Sequence, residues 1–376
     1  MAKRASSVES VVKSVSSFQS SNLLKFFSNK KVLVTGHTGF KGTWLCLWLE
    51  MFGAKLIGYS INIPTKPSLF ELVKPKCIDI RADIKDFNKL NSVIKKYKPE
   101  IIFHLAAQPL VRLSYKETLN TYQTNVIGTA NIFEALKTNK SVKAVVAITT
   151  DKVYLNNETG KAFKEDDPLG GYDPYSASKA CCEIVISSYR NSFFNLNDYK
   201  KTHNTLIASA RAGNVIGGGD FAKDRLIPDF IRAILSNKNL VIRNPKAIRP
   251  WQHVLEPLSA YLMLGARLLQ GKKEFAGSWN FGPNKKDIKT VEEIVNQLSK
   301  NFSNTKYLID KTKQPHEAHY LKLDILKAKN KLNWKPRWTI NITLDKICQW
   351  TKAYKNKENI REVCIKQIKD FCNTKN

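Results

Sequence analysis

A chain of 376 residues, 43% of them hydrophobic, can form one large α/β domain with a lobe or two ordinary domains, and either buries a substantial core. No run approaches the roughly 20 uninterrupted apolar residues that span a bilayer, and the N-terminus lacks the apolar core of a secretory signal, so a cytoplasmic protein with no membrane partner is expected. The 61 Lys and Arg against 32 Asp and Glu leave a net charge of +29, which raises nucleic-acid binding as a hypothesis, but the lysines are spread along the whole chain without an arginine-rich tract, which fits solvated faces and a positive field for a polyanionic small substrate better.

Residues Met1 to about Leu24 are rich in serine and carry little that could form a core, which predicts a mobile extension. From Lys31 onward, short aliphatic runs alternate with helical stretches, the pattern of parallel βαβ units. Strands are expected at Lys31 to Thr35, Lys55 to Ser60, Cys77 to Ile80, Ile101 to Ala107, Ala144 to Thr150 and Thr205 to Gly213; runs this apolar suit strands covered on both faces. Between them lie helices at Thr43 to Phe52, ended by Gly53, and Asp86 to Tyr97, followed by Pro99. The expected fold class is therefore α/β, a Rossmann-like doubly wound parallel sheet over residues 25–213. Beyond Gly213 the expected helices, Leu226 to Leu235 and Leu258 to Leu269, are interleaved with loops rich in Gly, Pro, Trp and Arg. Residues 214–355 are read as mainly a smaller substrate-binding lobe, and 356–376 as a C-terminal helical tail. The seven cysteines are odd in number and show no CxxC pair, so neither a disulfide framework nor a metal site is expected.

The first strand runs straight into Gly36, His37, Thr38, Gly39, Phe40, Lys41 and Gly42, a GxxGxxG spacing that opens a helix. Glycines there allow a tight turn and let backbone N–H groups approach a pyrophosphate at the positive end of the helix dipole. Asp83 and Ile84, after the third strand, are positioned to hold an adenine ring, although Asp83 alone reads as a surface turn residue. Leu105, Ala106, Ala107 and Gln108 end the fourth strand, where small residues let the backbone pass close to a cofactor or simply pack. An acidic residue is usual at the end of the second strand for the ribose of NAD; Ser60, Ile61 and Asn62 stand there instead, with no arginine for a 2′-phosphate, so NAD is favoured over NADP.

Tyr175, Ser176, Ala177, Ser178 and Lys179 form YxxxK, which places tyrosine and lysine on one helix face. An ammonium near the phenol is expected to lower its pKa, so that the phenolate can take a proton from a hydroxyl during hydride transfer. About 25 residues earlier, a strand ends in Thr149, Thr150, Asp151 and Lys152, bringing hydroxyl, carboxylate and ammonium to the sheet edge where open α/β sheets bind ligands.

Six segments, VTGHTGFKGTWL, HLAAQPLVRLSY, TTDKVY, GYDPYSASK, ARAGNVIGGGD with DRLIPD, and RPWQHVLEP, carry a resemblance to the extended short-chain dehydrogenases/reductases, most closely their CDP-glucose 4,6-dehydratases, from about Phe26 to about Trp350. The resemblance implies NAD as cofactor, CDP-glucose or a related nucleotide sugar as substrate, and a homodimer or homotetramer. It implies that Thr150, Tyr175 and Lys179 serve oxidation at C4 while Asp151 and Lys152 perform dehydration. The position of Lys152 looks like a glutamate in the dTDP-glucose enzymes, which points to the CDP-sugar branch. Asn214, Arg225 and Arg249 are implied at the substrate phosphates, Gln108 and Arg112 at the sugar or its phosphates, and Trp251 either lines the nucleotide pocket or packs. The serine-rich extension departs from the family pattern. A 4-epimerase or decarboxylase of the same fold, or a non-catalytic NAD sensor, are the competing readings; they would lack the acid and base after Thr150, or the tyrosine.

Overall fold

Seven parallel strands make the central sheet of the computed structural model, which describes residues 23, 26–302, 307–310, 312 and 321–374. Apart from Leu23, the expected N-terminal extension lies outside the described residues. The strands are β1 (Lys31–Thr35), β2 (Lys55–Ser60), β3 (Ile78–Arg81), β4 (Ile101–His104), β5 (Ala144–Ile148), β6 (Leu206–Ala212) and β7 (Gly277–Phe281), in the spatial order β7-β6-β5-β4-β1-β2-β3. The order reverses between β1 and β4, and such a switch point opens a crevice at the carboxyl ends of the strands.

Alternation along each strand divides the core into two layers. Val32 and Val34 of β1 join Trp44, Trp48, Phe103 and Tyr261 on one face, while Leu33 joins Tyr59, Ile102, Ile132, Phe133 and Cys182 on the other. Helix α1 (Phe40–Met51) follows β1, and α2 (Phe87–Tyr97) starts on the Asp86 side chain, which accepts from Lys89 N–H at 2.9 Å. Helix α3 (Pro174–Ser192) carries YxxxK; its N-cap Asp173 accepts from Ser176 N–H at 2.9 Å and Pro174 occupies the first turn, where a missing N–H costs nothing. Helices α4 (Leu226–Ser236) and α5 (Leu255–Leu269) follow. A separate apolar cluster gathers Ile227, Phe230, Ile231, Leu240, Ile294 and Leu344, all from the chain beyond β6.

Several boundaries differ from expectation, for local reasons. The fourth strand stops at His104 rather than Ala107 because the chain turns toward β1: Ala106 N–H donates to Thr35 Oγ1 at 3.2 Å and Gln108 N–H to Asn125 Oδ1 at 2.8 Å. The fifth stops at Ile148, and Thr150 caps a short 3-10 turn over Asp151–Val153. Strand β7 comes from the stretch expected to serve the substrate, and it pairs with β6. The last helix, α6 (Ile360–Asn373), packs into the core through Phe371, whose ring meets Trp48 at 5.7 Å and Trp338 at 5.1 Å.

One buried ion pair ties three of these elements together. Glu183 on α3 meets Arg211 of β6 at 2.9 Å, with the side chains 2% and 3% exposed. The carboxylate also accepts from Thr149 at 2.5 Å and Ser209 at 2.7 Å, and Arg211 donates to the Tyr154 hydroxyl at 2.8 Å. Burial works to raise the Glu183 carboxyl; the guanidinium and the hydroxyls outweigh it and hold the group below its ordinary value. Because that pKa is depressed, the stabilisation is present above the unfolded value of about 4.3 and is lost as the pH falls through the folded one. Arg211→Met, which leaves a buried carboxylate unpaired, should cost about 3–5 kcal/mol in urea unfolding at neutral pH. Removing the exposed Lys137 partner of Glu134 should cost under about 1 kcal/mol. Equal effects from both would contradict a structural role for the Glu183 pair.

Candidate active site

The glycine loop leaves room only for backbone. Gly36 has φ +73°, and a Cβ on it would lie 2.8 Å from Ala106 N; a Cβ on Gly42 would lie 2.1 Å from Gly36 O. Gly39 caps α1 through its carbonyl, which accepts from Thr43 N–H at 2.8 Å, and no side chain caps the helix. The first-turn N–H groups are thus not spent on a capping side chain, an arrangement suited to a pyrophosphate. At the end of β2, the Ser60 hydroxyl bonds His37 Nδ1 at 2.8 Å, and His37 Nε2 lies 3.0 Å from Asp79 on β3. The carboxylate next to the end of β2 is therefore on the third strand rather than on the second, where one was sought. Arg81, in register with Ser60, is bound to that same Asp79 at 2.7 Å. Asp83 accepts from Lys85 N–H at 2.9 Å, Ile84 is buried against Gly128, and Leu105, Ala106 and Ala107 form the turn after β4.

At the carboxyl end of β5, Thr150, Asp151 and Tyr175 come together, 5%, 1% and 9% exposed. Thr150 donates its hydroxyl hydrogen to Asp151 Oδ1 at 3.0 Å. Asp151 Oδ2 is buried without a hydrogen-bond partner among the described residues. Burial raises the Asp151 carboxyl above its ordinary value, against the opposing pull of Lys152, Thr150, Arg249 and Lys41. Burial also pushes the Tyr175 phenol up to about 12, while Thr150 and Arg225 work to lower it. The expected lowering by Lys179 is not what the contacts produce: its buried amino group donates to the Ile148 carbonyl at 3.3 Å, at the end of β5. Lys152 is half-buried beside Asp151.

Two residues that sequence reasoning missed hold the YxxxK helix in place. Ser114 accepts from Tyr175 N–H at 3.1 Å, and Asn125 donates to Ser178 at 2.8 Å while spanning the Gln108 backbone. Asn125 sits in a single π-helical turn, Gln123–Ile127, for which the sequence carries no periodic signal.

A cavity of roughly 830 Å³ opens over these groups. It is lined by Thr150, Asp151, Lys152 and Tyr175 from the sheet side, and by Arg112, Asn214, Arg225, Arg249 and Trp251. Asn214 has φ +44°, and its Nδ2 is buried with no partner among the described residues, a donor held ready for a ligand. Arg225 reaches Asp220 at 3.0 Å, and Trp251 both lines the cavity and packs, its indole N–H donating to Lys289 O at 3.0 Å. Gln108 is not brought to the cavity: its amide is committed to Leu110 and Thr121, where it braces the turn after β4. Arg243 and Lys41 also line the cavity. Arg243, bound to Asp224 at 2.6 Å, was not singled out in the sequence, and Lys41, expected at the cofactor loop, is pushed down to about 8 by burial and by Arg225 and Lys179.

The tightest steric constraint is at Gly213, where a Cβ would lie 1.7 Å from Asp151 Oδ2. Gly213→Ala should therefore displace the carboxylate and lower kcat by about 10²–10⁴, the range for loss of a general acid, with the melting temperature measured in parallel. Retained kcat in a folded Gly213→Ala protein would show that the Asp151 position does not matter.

The model of the GDP-mannose 4,6 dehydratase family matches residues 33–347. The chain is 51% identical, over 92% of its length and 97% of the relative, to the CDP-glucose 4,6-dehydratase of Salmonella typhimurium, and 25% identical, over 85% and 97%, to the dTDP-glucose 4,6-dehydratase of Haemophilus influenzae. Among solved structures it resembles the Bacillus anthracis dTDP-glucose 4,6-dehydratase in complex with NAD, with TM-score 0.71 and 24% identity over 88% of this chain and 98% of that one. The Thermus thermophilus UDP-glucose 4-epimerase complex with NAD gives TM-score 0.71 and 22% identity over 84% and 98%. At these identities the solved structures establish the shared fold, while the family match and the Salmonella relative establish descent: the chain belongs to the GDP-mannose 4,6 dehydratase family, within the extended short-chain dehydrogenases/reductases.

Proposed function

We propose that this chain is a hydro-lyase that uses bound NAD to convert CDP-glucose to CDP-4-keto-6-deoxyglucose. The observation that carries the reading is the convergence of Thr150, Asp151, Lys152 and Tyr175 on one wall of the cavity. The 51% identity to a CDP-glucose 4,6-dehydratase supports the choice of substrate. The glycine loop and the uncapped start of α1 fit the pyrophosphate of NAD; Asp83 and Ile84 would hold its adenine, and Tyr175 and Lys179 would serve its nicotinamide end. When bound, NAD supplies a hydride acceptor and donor for the sugar carbons.

The protein's own groups then manage protons. Thr150 orients the C4 hydroxyl, and Tyr175 as phenolate takes its proton. The ketone formed at C4 makes the C5 proton acidic, so Lys152 can remove it, and Asp151, kept protonated more readily by its burial, gives a proton to the departing C6 hydroxyl. Arg112, Arg225, Arg243 and Arg249, with Asn214, offer directional donors for the two phosphates.

Among the described residues no helix is long and apolar enough to cross a membrane, and a cytoplasmic location is part of the same proposal. So is a homo-oligomer: Ile184 on α3 is 57% exposed, and Leu119 and Ile127, 70% and 51% exposed, lie on helical segments packed against α3 and each other, apolar residues of the kind that subunits cover. Ile184→Lys should shift the mass measured by light scattering toward the monomer; a monomeric wild type would remove the oligomer from the proposal.

The activity is tested by incubating the protein with NAD and CDP-glucose, dTDP-glucose or GDP-mannose in turn. A product lighter by one water from CDP-glucose, with little from the others, is expected; no such product from CDP-glucose would overturn the reading. Lys152→Ala should slow exchange of the C5 hydrogen with solvent, and loss of water, by about 10²–10⁴. Exchange at the wild-type rate would take Lys152 out of the mechanism.

A further inference from the structure

At the carboxyl end of the sheet, the ladder between β6 and β7 ends at the pair Ala212 and Phe281, and one side chain meets both strands there. Gln252 Nε2 donates to Gly213 O and to Phe281 O, each at 3.1 Å. Both partners can only accept, so the amide turns its two N–H hydrogens to them, one for each. The backbone of the same residue holds the next carbonyl: Gln252 N–H donates to Asn214 O at 3.2 Å, and Gln252–His253 pairs in parallel with Val215–Ile216. Gln252 is 3% exposed; it is Trp251 beside it that lines the cavity.

Gly213, so held, is the residue that abuts the acid of the dehydration. A Cβ on it would lie 1.7 Å from Asp151 Oδ2, which puts the Gly213 backbone in van der Waals contact with the carboxylate. The other oxygen, Oδ1, accepts from the Thr150 hydroxyl at 3.0 Å. Oδ2 has no hydrogen-bond partner among the described residues, and on that side the glycine limits where the carboxylate can stand. A shift of the backbone at 213 therefore passes to Asp151.

We propose that Gln252 is a positioning residue for the dehydration: by holding the Gly213 carbonyl it keeps Gly213 against Asp151, and so fixes the point from which Asp151 gives its proton to the departing C6 hydroxyl. This rests on the dehydratase reading of the site. A general acid acts only within hydrogen-bond reach of the atom it protonates. Without the amide, two carbonyls lose a donor, and a buried acceptor left unpaired draws its backbone toward another partner. The Gly213 carbonyl is then free to turn, and the contact with Asp151 turns with it. The two carbonyls are the side chain's only partners among the described residues, its Oε1 being buried with none.

The test uses Gln252→Met, which keeps the length of the side chain and removes both donors, and Gln252→Glu, which when buried and protonated has one O–H and serves one carbonyl. Each is read, with NAD, on CDP-glucose and on CDP-6-deoxy-6-fluoroglucose. Fluoride leaves C6 as a stable anion without a full proton from Asp151, while oxidation at C4, proton removal at C5 and hydride return are the same for both substrates. Gln252→Met should lose about 10²-fold in kcat with CDP-glucose, the cost of misplacing a reacting group by about 1 Å, and under about threefold with the fluoro substrate. Reduced cofactor should accumulate on that variant with CDP-glucose, and Gln252→Glu should fall between it and wild type. Affinity for CDP, measured by calorimetry, should stay within about threefold of wild type, since the Gln252 backbone still holds Asn214. Equal losses with the two substrates, a matching loss of CDP affinity, or wild-type kcat with CDP-glucose in Gln252→Met overturns the positioning role. If Gln252→Met does not fold, the same comparison of substrates is read in Gln252→Glu, and failure of both to fold overturns the role as well. A wild type that forms no dehydrated product from either substrate would instead overturn the dehydratase reading, so the two failures are distinguishable.

Discussion

A single buried carboxylate, Glu183, holds together the segments on which the chemistry depends. It lies one helical turn beyond Lys179 on α3 and binds Thr149 at the end of β5, together with Ser209 and Arg211 of β6. The distance from Tyr175 to Thr150 and Asp151 is thus set by a charged contact at 2% and 3% exposure, where an ion pair tolerates little slack. Arg211 extends the hold to Tyr154, whose hydroxyl donates to Asn280 of β7 at 2.7 Å. The seventh strand, remote from the cavity, therefore contributes to the position of the 149–154 segment.

The site built on this frame has two electrostatic regions. Deep in it, Asp151, Tyr175 and Lys179 are buried, and burial displaces all three toward their neutral forms. On the opposite wall Arg112, Arg225, Arg243 and Arg249 line the cavity, and Asp220 and Asp224 are ion-paired to Arg225 and Arg243 at 3.0 and 2.6 Å. Lys41 lies between the regions, on the first turn of α1, close enough to Asp151, Arg225 and Lys179 for each to act on its amino group. That placement joins the cofactor loop to the substrate cavity through one side chain.

Strands β1, β2, β4, β5 and β6 were legible because each is a largely buried run, covered on both faces, whereas β3, mostly exposed, was legible from its place in the βα alternation; the Thr150, Asp151, Lys152 group after β5 stood out by its residue types. The end of β4 was overestimated because the apolar run 105–107 continues after the backbone has left the ladder, and that of β5 because Thr149 and Thr150 read as strand formers although Thr150 caps the Asp151–Val153 turn. Strand β7 was missed because GSWNF contains Ser278 and Asn280, polar residues that read as loop, whereas the Ser278 hydroxyl donates to Glu183 and the Asn280 amide joins the Tyr154 hydroxyl and the Phe163 carbonyl. Gln108 was assigned by resemblance to the sugar or its phosphates, yet its amide is used within the turn. Residues such as Arg243, Ser114 and Asn125 act through tertiary neighbours more than 15 residues away, and no local pattern marks them.

The central claim, that one bound nicotinamide accepts and returns the same hydride while the chain removes water between C5 and C6, is tested most directly with CDP-glucose carrying deuterium at C4. The account predicts that the deuterium appears at C6 of the 4-keto-6-deoxy product in a single enzyme incubation, with C5 hydrogen drawn from solvent. Deuterium returned to C4, as an epimerase would leave it, or released into free reduced cofactor, would contradict it.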